Sequence, residues 1–337
     1  MKNKHHFHSK KFIFLGIQIL RIILAFHILV FHCMNHSGYH SKIINGIISS
    51  VYIDLITFLI ISFYFSYNSL TSRNIQLKKQ KIIRLVIPYI IWPLIFFGIN
   101  NLIEYKYSKN NINFKLLYNQ LIIGNGIHSV FWFQFNLIFL YIFYTIIILL
   151  SPKHYLFYLF FNGILCYLFI IKYYDIFFQK FKYIVSFSTR PIPFSFLYTF
   201  SGFLLYYINI IDKINNHVKK IIILFFIAII FKKLFINISL SIFNNILLSS
   251  CLFIIFFFLP FEKINNDKII YIIKIITNYT GGIYYLHTKI RDILVNFFIK
   301  KKYLTLFQCF INYLICYFIC FFCSKIFRNY YLKYMFF

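Results

Sequence analysis

Acidic residues are scarce in this sequence, and charged residues of either sign are few. Only 7 of the 337 residues are Asp or Glu, against 35 Lys and Arg, and charged residues make up 12% of the chain. Hydrophobic residues make up 61%, and the mean hydropathy is +0.75. This composition excludes a soluble globular domain, whose apolar share is about half or less. It predicts a polytopic membrane protein.

The shortage of acids leaves a formal net charge of +28. In a soluble chain that charge would indicate nucleic acid as the partner. Here most cations lie in short loops between apolar runs. Membrane topology and anionic lipid explain this arrangement better, so we expect membrane lipid and no nucleic acid as a partner.

The sequence also lacks the spacings that mark metal sites and disulfide frameworks. None of the 7 cysteines shows a paired metal-ligand spacing. Cys309, Cys316, Cys320 and Cys323 form one helical stripe, where small buried packing residues are expected. The histidines near the N-terminus are too closely spaced in too short a tract to indicate a metal site. No metal is predicted.

No cleavage site of small residues follows the first apolar run, and that run contains Arg21. It is therefore predicted to be a retained helix. No repeat, linker or soluble domain is visible. We expect one integral-membrane domain over residues 12–327, with short cytoplasmic tails at 1–11 and 328–337.

The apolar runs predict an all-α transmembrane bundle of about ten spans. The predicted boundaries are 12–33, 43–66, 82–101, 128–150, 154–172, 193–211, 219–236, 242–260, 278–299 and 304–327. Residues 262–277 fit an interfacial amphipathic helix, with a re-entrant segment as the alternative.

The distribution of basic residues predicts the orientation. Lys and Arg are more numerous in the loops on the side of the tails, most clearly at residues 73–84. Because cytoplasmic loops carry an excess of these residues, both termini are expected in the cytoplasm. The expected location is a bacterial-type plasma membrane.

The first span carries polar residues that a simple anchor would not need: Gln18, Arg21, His27 and His32. An ionisable side chain inside a bilayer is costly and indicates function. On a helix, Arg21 and His32 lie within roughly 20° of each other and about 16 Å apart along the axis. His27 points roughly 120° away from them. Gln18 lies one turn before Arg21 and is a candidate partner of it.

An arginine, ten residues and a histidine in the first transmembrane helix resemble the signature of the acyltransferase type 3 family, integral-membrane enzymes that acylate surface sugars. Further patches follow in the family's order. FLIISFYFS at 58–66 is similar to a phenylalanine-rich run, with Phe63 in place of the usual glycine. The other matching residues are Arg84, Pro88 and Tyr89, then His128, Trp132 and Phe133, then Gly202, and finally Tyr279, Gly282, Ile283, Tyr284 and His287. Thr288 stands where the family has proline.

The resemblance implies transfer of an acetyl or other short acyl group from acetyl-CoA or another acyl-CoA. The acceptor would be a hydroxyl of a cell-surface polysaccharide or a lipid-linked sugar. His32 is the expected general base, because histidine titrates near working pH and this one lies near the outer end of its helix. Arg21 is expected to orient the donor or to support charge in the transition state, with structural pairing to a backbone carbonyl or to an acid in the membrane as the alternative.

The remaining candidates are expected to bind donor or acceptor. Lys81 and Arg84 could receive the phosphates of coenzyme A, although anchoring of the cytoplasmic face explains the lysines equally well. His287, Trp132 and Asp54 are the candidates for the acceptor, and Trp132 could equally be an interface anchor. Asp54 could instead orient His32.

Two other functions stay open at this stage. The first is export of a polysaccharide or lipid-linked sugar without acyl transfer, because interior charges also mark transporters. The second is a degenerate relative that binds glycans without catalysis, which the residues at Phe63 and Thr288 allow.

Overall fold

The computed structural model describes residues 2–34, 51–108, 114–123, 131–181, 192–207, 238–258, 266–295 and 305–326. These residues form eleven α-helices and no strand. The helices are α1 (Lys2–Met34), α2 (Val51–Thr71), α3 (Ile75–Ser108), α4 (Phe114–Ile123), α5 (Phe131–Leu150), α6 (Tyr155–Phe181), α7 (Ile192–Tyr207), α8 (Ile238–Phe258), α9 (Asp267–Asn278), α10 (Thr280–Ile293) and α11 (Leu306–Ile326). The all-helical prediction is confirmed.

Six of these helices are long and apolar enough to cross a membrane. Their apolar segments are Leu15–Met34, Ile53–Thr71, Ile75–Asn101, Phe131–Leu150, Tyr155–Lys172 and Leu306–Ile326. The predicted count of about ten is not confirmed, because α7 and α10 have only 16 and 14 residues and the apolar part of α8 is Asn244–Phe257. The predicted span at 219–236, the C-terminal tail and His128 lie outside the described residues.

The chain divides into two compact units. The first comprises Met1–Ser62, Leu204–Arg328 and Phe336–Phe337, and the second comprises Phe63–Phe203 and Asn329–Met335. Helix α2 therefore begins in the first unit, and its residues from Phe63 on belong to the second.

In the first unit, α1 is the central helix. It begins at Lys2, so it includes residues that the sequence analysis assigned to a tail. Its residues Leu20, Leu24 and Ile28 recur every four positions and are each 1% exposed. Residues at this spacing share one helix face, so α1 presents a continuous apolar stripe to its neighbours.

The predicted amphipathic segment is helix α9. The Asn266 side chain caps its first turn by accepting hydrogen bonds from the Lys268 and Ile269 backbone N–H groups, at 3.0 and 3.4 Å. The helix ends at Asn278, and only Tyr279 separates it from α10. Thr288 does not interrupt α10, which continues to Ile293 because no proline removes a backbone donor there.

Helices α9 and α10 pack along α1, and α10 runs parallel to it. Three hydrogen bonds link them, at Gln18 to Thr277, Arg21 to Thr280 and His32 to Arg291, and each joins residues 259 apart in sequence. A constant separation requires both partners to advance in the same direction. Helix α11 runs the opposite way, because Tyr279 pairs with Ser324 whereas His287, later in α10, pairs with the earlier Asn312.

The second unit is built on ring packing and on hydrogen bonds between side chains and backbone. Phe63, in place of the family's glycine, is 1% exposed and packs on Tyr144 of α5 with ring centroids 4.8 Å apart. The Tyr89 hydroxyl donates to the Leu121 carbonyl of α4 at 3.0 Å. Gln134 of α5 donates to the Leu85 carbonyl of α3 at 2.8 Å. These bonds tie α3, α4 and α5 together.

Candidate functional site

The stripe of α1 that carries Arg21 and His32 faces α9 and α10. At the end near Arg21, the Thr277 hydroxyl donates to the Gln18 carbonyl at 3.3 Å. Arg21 Nη2 donates to Thr280 Oγ1 at 3.1 Å, and Thr280 donates in turn to the Thr277 carbonyl at 2.9 Å. The two threonines thus connect α9 and α10 to the end of the stripe that carries Gln18 and Arg21.

Arg21 has donors to spare. A guanidinium carries five N–H donors, and among the described residues Arg21 makes a hydrogen bond only to Thr280. One turn earlier, Gln18 Oε1 is buried and has no hydrogen-bond partner among the described residues. A fixed cation and an unsatisfied acceptor therefore lie together inside the bundle, an arrangement suited to a polar or anionic ligand.

At the other end of the stripe, two histidines meet. The rings of His32 and His287 have centroids 5.1 Å apart and are tilted by 44°. His287 is 1% exposed, and His32 is partly buried. His287 Nδ1 lies 3.2 Å from the Ile283 carbonyl. His287 Nε2 is buried and has no hydrogen-bond partner among the described residues.

The backbones of both histidines are fixed by side chains from other positions. Arg291 Nη1 of α10 donates to the His32 carbonyl at 2.8 Å, in the last turn of α1 where carbonyls lack helical partners. Arg291 is itself held by Asp292, through Nε at 2.9 Å. Asn312 of α11 donates to the His287 carbonyl at 2.9 Å.

Asn312 also connects the site to two cysteines. It is 0% exposed, donates to Cys33 Sγ at 3.3 Å and accepts from Cys316 Sγ at 3.3 Å. Its amide therefore links α1, α10 and α11. Cys316, which was predicted to be a packing residue, also donates a hydrogen bond to Asn312.

His27 lies on a different face of α1 and contacts α2. His27 Nδ1 forms a close ion pair with Asp54 Oδ2 of α2, and Asp54 is 6% exposed. The sequence left His27 out of the site and offered Asp54 as a residue that binds the acceptor or orients His32. The ion pair joins Asp54 to the residue that was predicted to point away from the stripe, and the roles of Asp54 toward the acceptor or His32 stay predictions.

The other candidates, Lys81, Arg84 and Trp132, belong to the second unit. Arg84 is exposed, whereas Lys81 is partly buried. Trp132 is partly buried and packs edge-on against Phe133, with ring centroids 5.8 Å apart. Lys78, in the same basic stretch, is 4% exposed and is the most buried of its cations.

Sequence reasoning missed Thr277, Thr280, Arg291 and Asn312. One signal for the threonines was present, because they are three residues apart, as are Gln18 and Arg21. Two helices in parallel contact bring such pairs together. No comparable signal marks Asn312, whose partners come from two other helices.

The site combines the imidazoles of His32 and His287 with the guanidinium of Arg21, and Arg21 and His32 are partly buried. Among the described residues, no group of three or more His, Cys, Asp or Glu could hold a metal ion. Arg21 and His32 are eleven residues apart, which is about 16 Å along α1. Such a site can bind a charged carrier at one end and remove a proton from a hydroxyl at the other.

Comparison with known proteins identifies the type of domain. A family model described as an acyltransferase domain matches residues 14–328, nearly the whole chain. No curated protein and no solved structure matches the chain. The matched region contains every residue of the stripe and of its partner helices.

Proposed function

The chain belongs to the acyltransferase type 3 family and is an integral-membrane acyltransferase, and from this premise we propose its donor, acceptor and catalytic residues. It transfers an acetyl or other short acyl group from an acyl-CoA to a hydroxyl of a cell-surface polysaccharide or lipid-linked sugar. O-acetylation of polysaccharide is typical of the family. The observation that carries the proposal is the α1 stripe, in which Arg21 bonds only Thr280 among the described residues and the ring of His32 contacts that of His287.

His32 is the general base of this reaction. It takes the proton of the acceptor hydroxyl, whose oxygen attacks the thioester carbonyl. The carbon–oxygen bond forms and the carbon–sulfur bond breaks, and the leaving thiolate takes the proton from the His32 imidazolium. Histidine suits both proton transfers because it titrates near working pH.

Arg21 binds and stabilises negative charge on the donor side. A guanidinium stays charged and binds phosphate or an oxyanion through two parallel donors. This role is supported because, among the described residues, Arg21 donates a hydrogen bond only to Thr280. Its other N–H groups have no acceptor among those residues. Charge stabilisation in a dry site is commonly the largest catalytic contribution. Gln18, with its unsatisfied Oε1, is a further contact for the carrier.

Lys81 and Arg84 are the proposed ligands of the coenzyme A phosphates, supported by the basic stretch and, for Arg84, by its match to the family pattern. Trp132 is the proposed aromatic wall for the acceptor. Asp54 keeps its proposed place near the acceptor only if its ion pair with His27 leaves an oxygen for the sugar. The ring of His287 contacts that of His32, and this contact favours a role in positioning the base.

The protein is proposed to lie in a bacterial-type plasma membrane with both termini in the cytoplasm. Two observations support this orientation. Helix α10 is parallel to α1 and α11 is antiparallel to both, which brings the start of α1 and the end of α11 to one side of this unit. The basic stretch at residues 73–84 favours the cytoplasm for the tails. A single functional domain is proposed because the family match runs through both units.

The test incubates membranes with labelled acetyl-CoA and candidate glycans. It compares the wild type with Arg21→Ala and His32→Ala at equal amounts of protein. His154→Ala, at an exposed histidine outside the site, is the matched control. We expect label on the glycan with the wild type and the control, and a loss of at least about 100-fold in the other two variants. Equal labelling by all four proteins would contradict the assignment of Arg21 and His32 to the site. Transport of the glycan across the membrane without labelling would favour export.

A further inference from the structure

We propose that His32 and His287 form a catalytic histidine pair in which His287 is a positioning residue that accepts a hydrogen bond from the ring N–H of His32. The inference rests on the proposed function, because it assigns a role to the neighbour of the proposed base. His287 thereby acts through His32 and does not touch the reacting atoms.

The first step is the tautomer of His287. Its Nδ1 lies 3.2 Å from the Ile283 carbonyl oxygen. A carbonyl oxygen can only accept, so Nδ1 carries the proton and donates it. In a neutral imidazole the other nitrogen is then an acceptor with a lone pair. The backbone of α10 therefore leaves Nε2 of His287 as an acceptor.

The second step is that this acceptor has no described partner. His287 is 1% exposed, and its Nε2 has no hydrogen bond among the described residues. Leaving a buried acceptor unsatisfied is costly, so such a group in a folded protein calls for an explanation. A donor supplied in the working site would satisfy it.

The third step is the identity of that donor. The His32 ring is in tilted contact with the His287 ring, with centroids 5.1 Å apart. When one nitrogen of His32 acts as the base, its other nitrogen carries a proton and is a donor. A small rotation of the His32 ring directs this N–H at Nε2 of His287. The bond fixes which nitrogen of His32 faces the acceptor hydroxyl.

The fourth step concerns charge during the reaction. His32 becomes an imidazolium when the hydroxyl O–H bond breaks and a new N–H bond forms. A hydrogen bond from the charged ring to the neutral acceptor on His287 is stronger than one between neutral groups, so it stabilises this state. His287 gains no proton, and the proton of His32 leaves with the thiolate. The same logic operates wherever a second residue holds a catalytic histidine in one tautomer.

The fifth step is that the pair is held in place from outside. Arg291 fixes the His32 carbonyl, and Asn312 fixes the His287 carbonyl. Each clamp contacts a backbone carbonyl. Backbones held in this way keep the two rings at the contact distance that the proposed hydrogen bond requires.

Two amide substitutions test the roles of the two ring nitrogens of His287 separately. In His287→Gln the side-chain oxygen reaches the place of Nε2 and keeps the acceptor. In His287→Asn the shorter amide keeps a donor for the Ile283 carbonyl but places nothing at the position of Nε2. His287→Ala removes both groups. The assay measures kcat and the KM of each substrate with purified protein, and His154→Ala is the control for an exposed histidine.

We expect His287→Asn and His287→Ala to lower kcat about 10- to 100-fold, the range for a misplaced catalytic group. The KM of the donor should stay unchanged, and His287→Gln should recover most of the rate. Equal rates for Gln and Asn would overturn the proposal, as would a raised acceptor KM with an unchanged kcat, which would make His287 a substrate contact. If the wild type transfers no acyl group at all, the result contradicts the proposed function itself and not the role of His287 alone.

Discussion

Arg21 is the residue whose role the bundle itself does not explain. A structural arginine inside a membrane protein normally satisfies its donors with an acid or with several carbonyls. Among the described residues Arg21 bonds only Thr280, whereas Arg291 in the same unit bonds both Asp292 and the His32 carbonyl. The contrast separates an arginine that holds the structure from one that is available to a ligand.

Substitution of Arg21 should therefore impair transfer far more than it impairs folding. We expect Arg21→Ala to lower kcat/KM by about 100- to 1000-fold, the usual effect of losing one charge-stabilising group. Arg21→Lys should recover little, because an ammonium lacks the planar pair of donors. Thr280→Val, which removes only one acceptor of the guanidinium, is the matched control and should lose less than tenfold. A lysine variant as active as the wild type would show that a forked donor is not needed.

At this scale the sequence predicted the residues of the stripe and missed their partners. Arg21 and His32 could be found because a polar residue in an apolar run stands out by its cost. Thr280 and Asn312 could not, because small polar residues are common in membrane helices and act only through the neighbour they meet. Those neighbours are 259 and 279 residues away along the chain.

The pairing of α1 with α9 and α10 is the main relation between elements. Its register is fixed by three hydrogen bonds with one common separation. The stripe predicted from the helical repeat is the face that makes these bonds, and His27, predicted to point elsewhere, pairs with α2. The sequence could predict the face, since it depends on local geometry, but not the identity of the helix opposite.

Disulfide formation between introduced cysteines tests this register. Gln18→Cys combined with Thr277→Cys should cross-link on mild oxidation, because the Thr277 hydroxyl is 3.3 Å from the Gln18 carbonyl. Gln18→Cys combined with Thr288→Cys is displaced by eleven residues, about 16 Å along the helix, and should not. Each single variant controls for bonds to native cysteines. Cross-linking of the displaced pair alone would contradict the parallel packing.

The His27–Asp54 ion pair makes a separate prediction for the contact between α1 and α2. Removing one partner of a buried pair leaves an uncompensated charge, at a cost of about 3–5 kcal/mol. We expect His27→Leu to lower the melting temperature of the detergent-purified protein clearly. The double variant His27→Leu with Asp54→Leu should regain most of the loss, since two apolar residues replace both charges. If the double variant is less stable than the single one, the pair is not the link between these helices.

At the scale of the whole molecule, composition predicted a membrane protein, and the length of the apolar runs predicted helices, because a helix needs about 20 apolar residues to cross a bilayer. The number of spans could not be predicted so well. Helices α7 and α10 have 16 and 14 residues, fewer than the length of about 20 that an untilted span needs. Hydropathy counts apolar runs, whereas in the part of the chain that the structure describes α10 is a short helix that packs beside the longer α1.

Orientation in the membrane is also a property of the whole molecule. Lys79 is exposed in the basic stretch that begins α3. If both termini are cytoplasmic, a cysteine at Lys79→Cys should react with an impermeant maleimide only after cells are opened. A cysteine placed at Lys153→Cys, exposed between α5 and α6, provides a second position with the same chemistry. Labelling of Lys79→Cys in intact cells would reverse the proposed topology.

The central claim is that this protein moves an acyl group from a thioester to a sugar hydroxyl and that His32 removes the proton. The most direct measurement is the release of free coenzyme A thiol by the purified protein with acetyl-CoA, with and without glycan acceptor. We predict that the acceptor raises the rate for the wild type and has no effect on His32→Ala. Thiol release that depends on acceptor to the same extent in both proteins would contradict the assignment of His32 as the base.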